Sequence, residues 1–303
     1  MAESIHQVCV VGAGFMGAQI ALHCAVHGRV VWLHDVDEDA LARAEEQQRQ
    51  LLMDQGAAGV VHEMETAATF GRLRRTTSLE EAASQADIVI EVVKEDLAVK
   101  REVFAVLDQI CPPRTILTTN SSSLRISRIE SATGRPGKVL NTHFVQPVWK
   151  HPFVELMGGT HTSTETMDAV KGFMESMGLL AVMVRKENTG FVFNCIWRAV
   201  KKESLRLLDQ GVASLEDIDR TWMIQMESDV GPFAMMDRIG LDVVRDIEQV
   251  YYEESGDWRD APPRVLNERI ARGELGVKTG KGFYSYPGPE WSKPGFLKNR
   301  GEG

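Results

Sequence analysis

Gly12-Ala13-Gly14-Phe15-Met16-Gly17 follows directly on a short apolar run, Gln7 to Val11, and opens a stretch of helix formers, Ala18 to His27. Three glycines at this spacing mean little alone, but between a strand and a helix they are a specific signal. Gly12 would make the tight turn, and Gly14 would let the backbone approach a pyrophosphate. Gly17 would let the helix pack against the strand, with Phe15 and Met16 completing the contact surface. The phosphates would then rest on the free N–H groups at the positive end of the helix. Gly28 closes that helix, and a second strand-like run, Arg29 to His34, ends on Asp35. A carboxylate there would accept hydrogen bonds from adenosine ribose hydroxyls. Asp37, Glu38 and Asp39 add negative charge that would repel a 2′-phosphate, so the pattern points to NAD rather than NADP.

A second group of residues suits hydride removal from an alcohol carbon. That step needs a base for the hydroxyl proton, because hydride leaves readily only as the alkoxide forms. His143 has the right intrinsic basicity. Glu155 would fix its tautomer and stabilise the imidazolium if the two residues met. They lie on separate strand-like runs, Val139 to Val145 and Phe153 to Met157, joined by a Pro-containing loop. Spacing alone does not bring them together. Ser122, in Asn120-Ser121-Ser122-Ser123, would hydrogen-bond the reacting oxygen or cap the segment after it.

The elements around these residues alternate. Ala86 to Val93 and Arg114 to Thr119 read as core strands, and Val99 to Gln109 reads as a helix between them. This alternation predicts a doubly wound, mostly parallel α/β sheet of the Rossmann type, with ligands beyond the carboxyl ends of its strands. Asp39 to Gln55 and Val60 to Phe70 predict a helical hairpin inserted near 40–72. Arg72, Arg74 and Arg75 follow it, either as partners for coenzyme A phosphates or as a solvated basic turn. From about Lys186 the pattern becomes helical throughout, over Gly190 to Leu208, Leu215 to Met226, Asp237 to Glu254 and Pro263 to Arg272. The expected organisation is a nucleotide-binding domain over 1–186 and an all-α domain over 187–303. Met223, Met226, Met235 and Met236 would line an acyl pocket or fill helix-packing core. The tail from Pro287 reads as extended.

Composition narrows the function classes. The chain has 303 residues, 43% hydrophobic and 25% charged, with a net charge of −9. That balance argues for a globular protein with a real core and against a nucleic-acid partner. Four scattered cysteines, Cys9, Cys24, Cys111 and Cys195, have no metal-like spacing, so no metal site is expected. The N-terminus runs straight into a strand-like segment, and no run approaches the roughly 18 apolar residues of a membrane helix. A cytoplasmic protein acting on a small molecule is the expectation.

Several motifs resemble the L-3-hydroxyacyl-CoA dehydrogenases over nearly the whole chain. They are Val-Gly-Ala-Gly-Phe-Met-Gly (11–17), Asn-Ser-Ser-Ser-Leu (120–124), His-Phe-Val-Gln-Pro-Val (143–148), Val-Glu-Leu (154–156), Gly-Phe-Val-Phe-Asn (190–194), Gly-Pro-Phe (231–233) and Lys-Thr-Gly-Lys-Gly-Phe-Tyr (278–284). The resemblance implies His143 as base with Glu155 as its partner, and Ser122 and Asn194 holding the substrate oxygens. It also implies Glu95 and Lys100 along the nicotinamide half of NAD, Lys278 as a further cofactor contact, and a homodimer formed through the C-terminal domain. Gln146, Cys195 and Glu187-Asn188-Thr189 depart from the usual pattern. Trp149-Lys150-His151-Pro152 and Lys186-Glu187 look more like the branch holding carnitine dehydrogenase, gulonate dehydrogenase and lambda-crystallin. Oxidation of a 3-hydroxyacyl-CoA, oxidation of a free 3-hydroxy acid, and a non-catalytic NAD-binding role all stay open at this point.

Overall fold

A computed structural model describes residues 5–60 and 63–298 of the chain. They fall into two compact units, one ending at Val192 and the other beginning at Phe193.

In the first unit the order is β1 (Gln7–Val11), α1 (Phe15–Val26), β2 (Val30–His34), α2 (Glu38–Ala57), α3 (Glu63–Arg72), β3 (Leu73–Thr76), α4 (Leu79–Ala83), β4 (Ile88–Glu91), α5 (Leu97–Ile110), β5 (Ile116–Thr119), β6 (Val139–Phe144), β7 (Phe153–Gly158), α6 (Thr164–Glu175) and β8 (Leu180–Val184). The eight strands form one sheet in the order β3-β2-β1-β4-β5-β6-β7-β8. All neighbours are parallel except β6 and β7. The run from β3 to β6 has the strand order of a Rossmann sheet.

Both faces are covered, which explains why the inner strands read as continuous apolar runs rather than alternating ones. Val8 and Val10 of β1 enter one core with α1 and α6, while Cys9 and Val11 enter the other with Phe104 and Leu107 of α5. Because β1, β4, β5 and β6 run parallel, the glycine turn, Glu91, Asn120 and the end of β6 all fall on one edge of the sheet. That edge is where such sheets bind ligands.

Two strands, β3 and β8, had no sequence-based prediction. β3 is the edge strand Leu-Arg-Arg-Thr, with a single buried side chain, and carries too little apolar character to be read as a strand. The basic cluster is thereby accounted for within the fold. Arg72 donates to the Ala25 carbonyl at 3.2 Å, Arg74 lies over the Trp32 ring, and Arg75 pairs with Gln48 and Glu45.

The second unit holds α7 (Phe193–Asp209), α8 (Leu215–Gln225), α9 (Pro232–Ile239), α10 (Leu241–Ser255) and α11 (Arg264–Ala271). The helix expected over Asp237 to Glu254 is broken at Gly240, whose φ of 102° lies outside helical space. Met223 and Met236 are buried and Met226 is exposed, so the four methionines do not line one pocket. Two buried carboxylates tie the unit together. Asp219 accepts from the Phe233 and Ala234 N–H groups and the Tyr284 hydroxyl. Asp237 accepts from the Phe283 and Tyr284 N–H groups and the Tyr286 hydroxyl. Gly231 and Gly282 are glycines because any Cβ there would strike these carboxylates, at 2.2 and 2.0 Å. The Gly-Pro-Phe and Lys-Thr-Gly-Lys-Gly-Phe-Tyr motifs are thus two halves of one buried network. Among the described residues no helix is long and apolar enough to cross a membrane.

Candidate active site

The turn after β1 is built for close backbone approach. Gly12 has a φ of 111°, and a Cβ there would lie 2.7 Å from the Val92 carbonyl oxygen; one on Gly17 would lie 1.8 Å from that of Gly12. Gly14 differs: a Cβ on it would meet no protein atom within 4 Å and would project into open space. It caps α1 without a side chain, so the first-turn N–H groups stay available to an anion. Phe15 is exposed and Met16 is half-buried against the core. Asp35, at the end of β2, accepts from the Ala13 N–H at 2.7 Å and from the Asp37 N–H at 3.1 Å. The carboxylate is therefore fixed beside the turn. Open space at Gly14, a free helix terminus and a held carboxylate fit a dinucleotide with an unphosphorylated ribose. Replacing Asp35 with Ala should weaken NAD binding roughly 10-fold or more, by loss of charge-assisted hydrogen bonds. Tryptophan-quench titration with NAD and NADP checks this, and unchanged NAD affinity would count against the assignment.

Three strands from β1, the sheet performs the step that spacing left open. The antiparallel register of β6 and β7 sets His143 directly opposite Glu155, with Phe144 opposite Val154 as the last pair before the loop. Directly opposed residues on neighbouring strands point to the same face. His143 Nδ1 lies 2.8 Å from Glu155 Oε2, with the imidazole 7% exposed and the carboxylate buried. A carboxylate accepts, so Nδ1 carries the proton and Nε2 keeps a lone pair. Val192 donates its N–H to the other carboxylate oxygen, Oε1, at 2.8 Å. The Phe191 ring stacks on the imidazole at 4.8 Å between centroids and 25° between planes.

The segment between β5 and β6 is held from both sides. Asn120 Oδ1 accepts from the Phe144 N–H at 2.8 Å, tying the end of β5 to the end of β6 beside His143. Ser121, rather than Ser122, takes the capping role: its hydroxyl accepts from the Leu124 N–H and donates to Glu95. Ser122 is exposed, and among the described residues no hydrogen bond engages its hydroxyl. Glu95 also accepts from the Ser123 N–H and hydroxyl. Burial pushes its pKa up, but the Ser121 and Ser123 hydrogen bonds and the Lys100 charge outweigh this and hold it below the ordinary carboxylate value.

Lys100 is only 1% exposed, so it has no surface to offer a ligand. Its Nζ lies 2.8 Å from Glu91 Oε1, 3.2 Å from the Val93 carbonyl and 3.3 Å from Glu95 Oε2. The resemblance implies Lys100 along the nicotinamide half of NAD, and its buried ammonium here sets the position of Glu95. Glu91 was not anticipated as a site residue, although a glutamate closing Ile-Val-Ile-Glu was a visible signal. Thr119 and the Val93 N–H complete its hydrogen bonds. In the sequence Phe191 and Val192 stand out only as parts of the Gly-Phe-Val-Phe-Asn motif. In the helical unit, Asn194 stands in the first turn of α7, and both oxygens of Asp242 accept from Lys278 Nζ at 2.6 Å.

Residues 7–188 match the family model described as 3-hydroxyacyl-CoA dehydrogenase, NAD binding domain, and residues 190–286 match the model of the C-terminal domain of the same dehydrogenases. The chain is 38% identical over 282 residues to a Bacillus subtilis protein named "Probable 3-hydroxybutyryl-CoA dehydrogenase", covering 93% of this chain and 98% of that one. It is 35% identical to the 3-hydroxybutyryl-CoA dehydrogenase of Clostridioides difficile, over 92% of this chain and 99% of that one. Among solved structures it is similar to the (S)-3-hydroxybutyryl-CoA dehydrogenase of Ralstonia eutropha, with a TM-score of 0.88, 33% identity, and 94% and 100% of the two chains covered.

Proposed function

The chain belongs to the 3-hydroxyacyl-CoA dehydrogenase family, and from that premise we propose that it oxidises the 3-hydroxyl of a 3-hydroxyacyl-CoA to the 3-keto thioester, reversibly, using NAD. The observation that carries the reading is the cross-strand His143–Glu155 pair on the same sheet edge as the glycine turn. Gly12, Gly14 and Gly17 with the start of α1 hold the pyrophosphate, and Asp35 holds the ribose. Glu95, positioned by Lys100, Ser121 and Ser123, lies along the nicotinamide side. Bound NAD supplies the hydride acceptor. His143 Nε2 takes the hydroxyl proton as the alkoxide forms, and Glu155 stabilises the imidazolium without itself taking the proton. Ser122 hydrogen-bonds the reacting oxygen. Asn194 is assigned a substrate-oxygen contact and Lys278 a cofactor contact by the family motifs alone.

Trp149 bears on the alternative substrate. Lys150 Nζ lies over its ring at 4.9 Å, so one aromatic face is already taken by a cation of the chain itself. A trimethylammonium group would have to displace it.

The reading is tested by following NADH absorbance against a panel of 3-hydroxyacyl-CoAs, free 3-hydroxybutyrate, carnitine and gulonate. Turnover confined to the CoA esters is expected. Turnover on a free acid alone would overturn the thioester assignment and leave the hydride chemistry intact.

The helical unit is proposed to pair two copies. A groove between α7 and α8 has apolar lining from Leu207, Ile218, Trp222 and Met226, with Glu203 and Asp217 also lining it, and Ile196 and Val212 are exposed in the same helical unit. A monomer mass by sedimentation would count against this. A cytoplasmic location is proposed on Cys9, Cys24 and Cys111, three buried free thiols.

A further inference from the structure

Phe191 has a φ of 54°, in the left-handed region that bulky residues seldom occupy. Gly190 before it also has a positive φ, 81°. The turn is clamped from outside. The Phe191 N–H donates to the Asn188 carbonyl at 3.2 Å, and Asn188 Nδ2 donates back to the Phe191 carbonyl at 3.1 Å. Asn188 is itself tied to β7, its N–H donating to Met157 Sδ. Strain of this kind persists only where the surroundings enforce it, and it gathers at functional sites.

Two consecutive residues leave this turn, and both end on the dyad. The Phe191 ring, 2% exposed, lies flat on the His143 imidazole, and the Val192 N–H reaches Glu155 Oε1. Filling core space would need neither the positive φ nor this pairing of contacts, since an apolar side chain can be delivered from relaxed backbone. A single Nδ1···Oε2 hydrogen bond leaves the imidazole free to pivot out of plane about that bond. A ring packed on its face removes the pivot.

We infer that Phe191 is a positioning residue for the proposed base: its ring and the strained turn that carries it hold the His143–Glu155 pair in the orientation that aims Nε2 at the substrate hydroxyl. The inference rests on the proposed role of His143, and the two are separable, because turnover surviving His143→Ala would remove that role first.

The test compares Phe191→Leu and Phe191→Met, which keep apolar volume without a ring face, with Phe191→Tyr, which keeps the face. In the Leu and Met variants kcat should fall about 10-fold or more, as expected for a misaimed catalytic group. KM and the NAD dissociation constant should stay within about twofold. The Tyr variant should keep most of kcat. The His143 ring-proton resonances should be sharp in the wild type and in Phe191→Tyr and broadened by ring motion in Phe191→Leu, with Glu155 keeping the Nδ1–H in all three. Wild-type kcat in a folded Leu or Met variant would overturn the inference, as would Phe191→Tyr losing as much as Leu. If neither Leu nor Met folds, the wild-type ring-proton resonances decide, and motional broadening of the His143 ring there would overturn it.

Discussion

His143→Gln should lower kcat for hydroxyl oxidation by roughly 10²–10⁴-fold, the range lost with a positioned general base, while NAD binding stays within about threefold. The expectation follows from the separation of roles along the sheet edge. NAD is assigned to the turn after β1 and to Asp35, whereas His143 sits near the end of β6, three strands away in the order β1-β4-β5-β6. Glutamine keeps a side chain that can donate to Glu155 but offers no basic nitrogen. Glu155→Gln should also be severe, because an amide cannot stabilise the imidazolium as a carboxylate does. The two losses should not add. Once the base is gone its partner has nothing left to support, so the double variant should resemble His143→Gln alone. Initial rates of NADH formation, with NAD affinity read separately by fluorescence, give the numbers. A His143→Gln enzyme retaining more than about a tenth of wild-type kcat would remove His143 from the role of base.

Lys100→Met should be the most destabilising of the substitutions considered, by about 3–5 kcal/mol, the usual cost of leaving one member of a buried ion pair uncompensated. In a unit of this size that corresponds to roughly 10 °C in Tm. Glu91 is fully buried, and Lys100 is the cation against it. The pH dependence has a definite sign. Burial raises the pKa of Glu91 in the folded protein above its ordinary value of 4.5, with the Lys100 charge opposing the rise. A carboxyl raised on folding gives stability that is present below its unfolded pKa and lost as pH climbs through the folded one. Removing Lys100 takes away the opposing charge and extends that window upward. The deficit of the variant should therefore be larger at pH 8 than at pH 5. Adding Glu91→Leu should recover a large part of the loss, since an apolar pair can replace a buried ionic one. Urea melts at the two pH values decide the matter. A deficit under about 1 kcal/mol at both would mean that water or backbone groups satisfy Glu91 without the lysine.

The features legible in the residues alone are local. The turn at Gly12–Gly17, the α1 helix closing at Gly28 and the buried strands each follow from sterics or apolar period within a dozen or so residues. The break at Gly240 and the weak strands β3 and β8 lay at the limit of that reading. Short edge segments with few buried side chains look like loops until a neighbouring strand pairs with them.

The candidate site belongs mostly to the tertiary structure. His143 meets Glu155 only because β6 and β7 run antiparallel in one register, and a slip by a single residue would turn the two side chains to opposite faces. Val192 reaches Glu155 from far along the chain, on a strained turn that no propensity predicts. Lys100, which the resemblance implies along the nicotinamide half of NAD, is buried with its charge shared by Glu91 and Glu95. Residue types and short spacings state which chemistry a chain is able to carry. Which of those residues touch is decided by strand register and helix packing, whose energies come from contacts between segments that are remote in sequence.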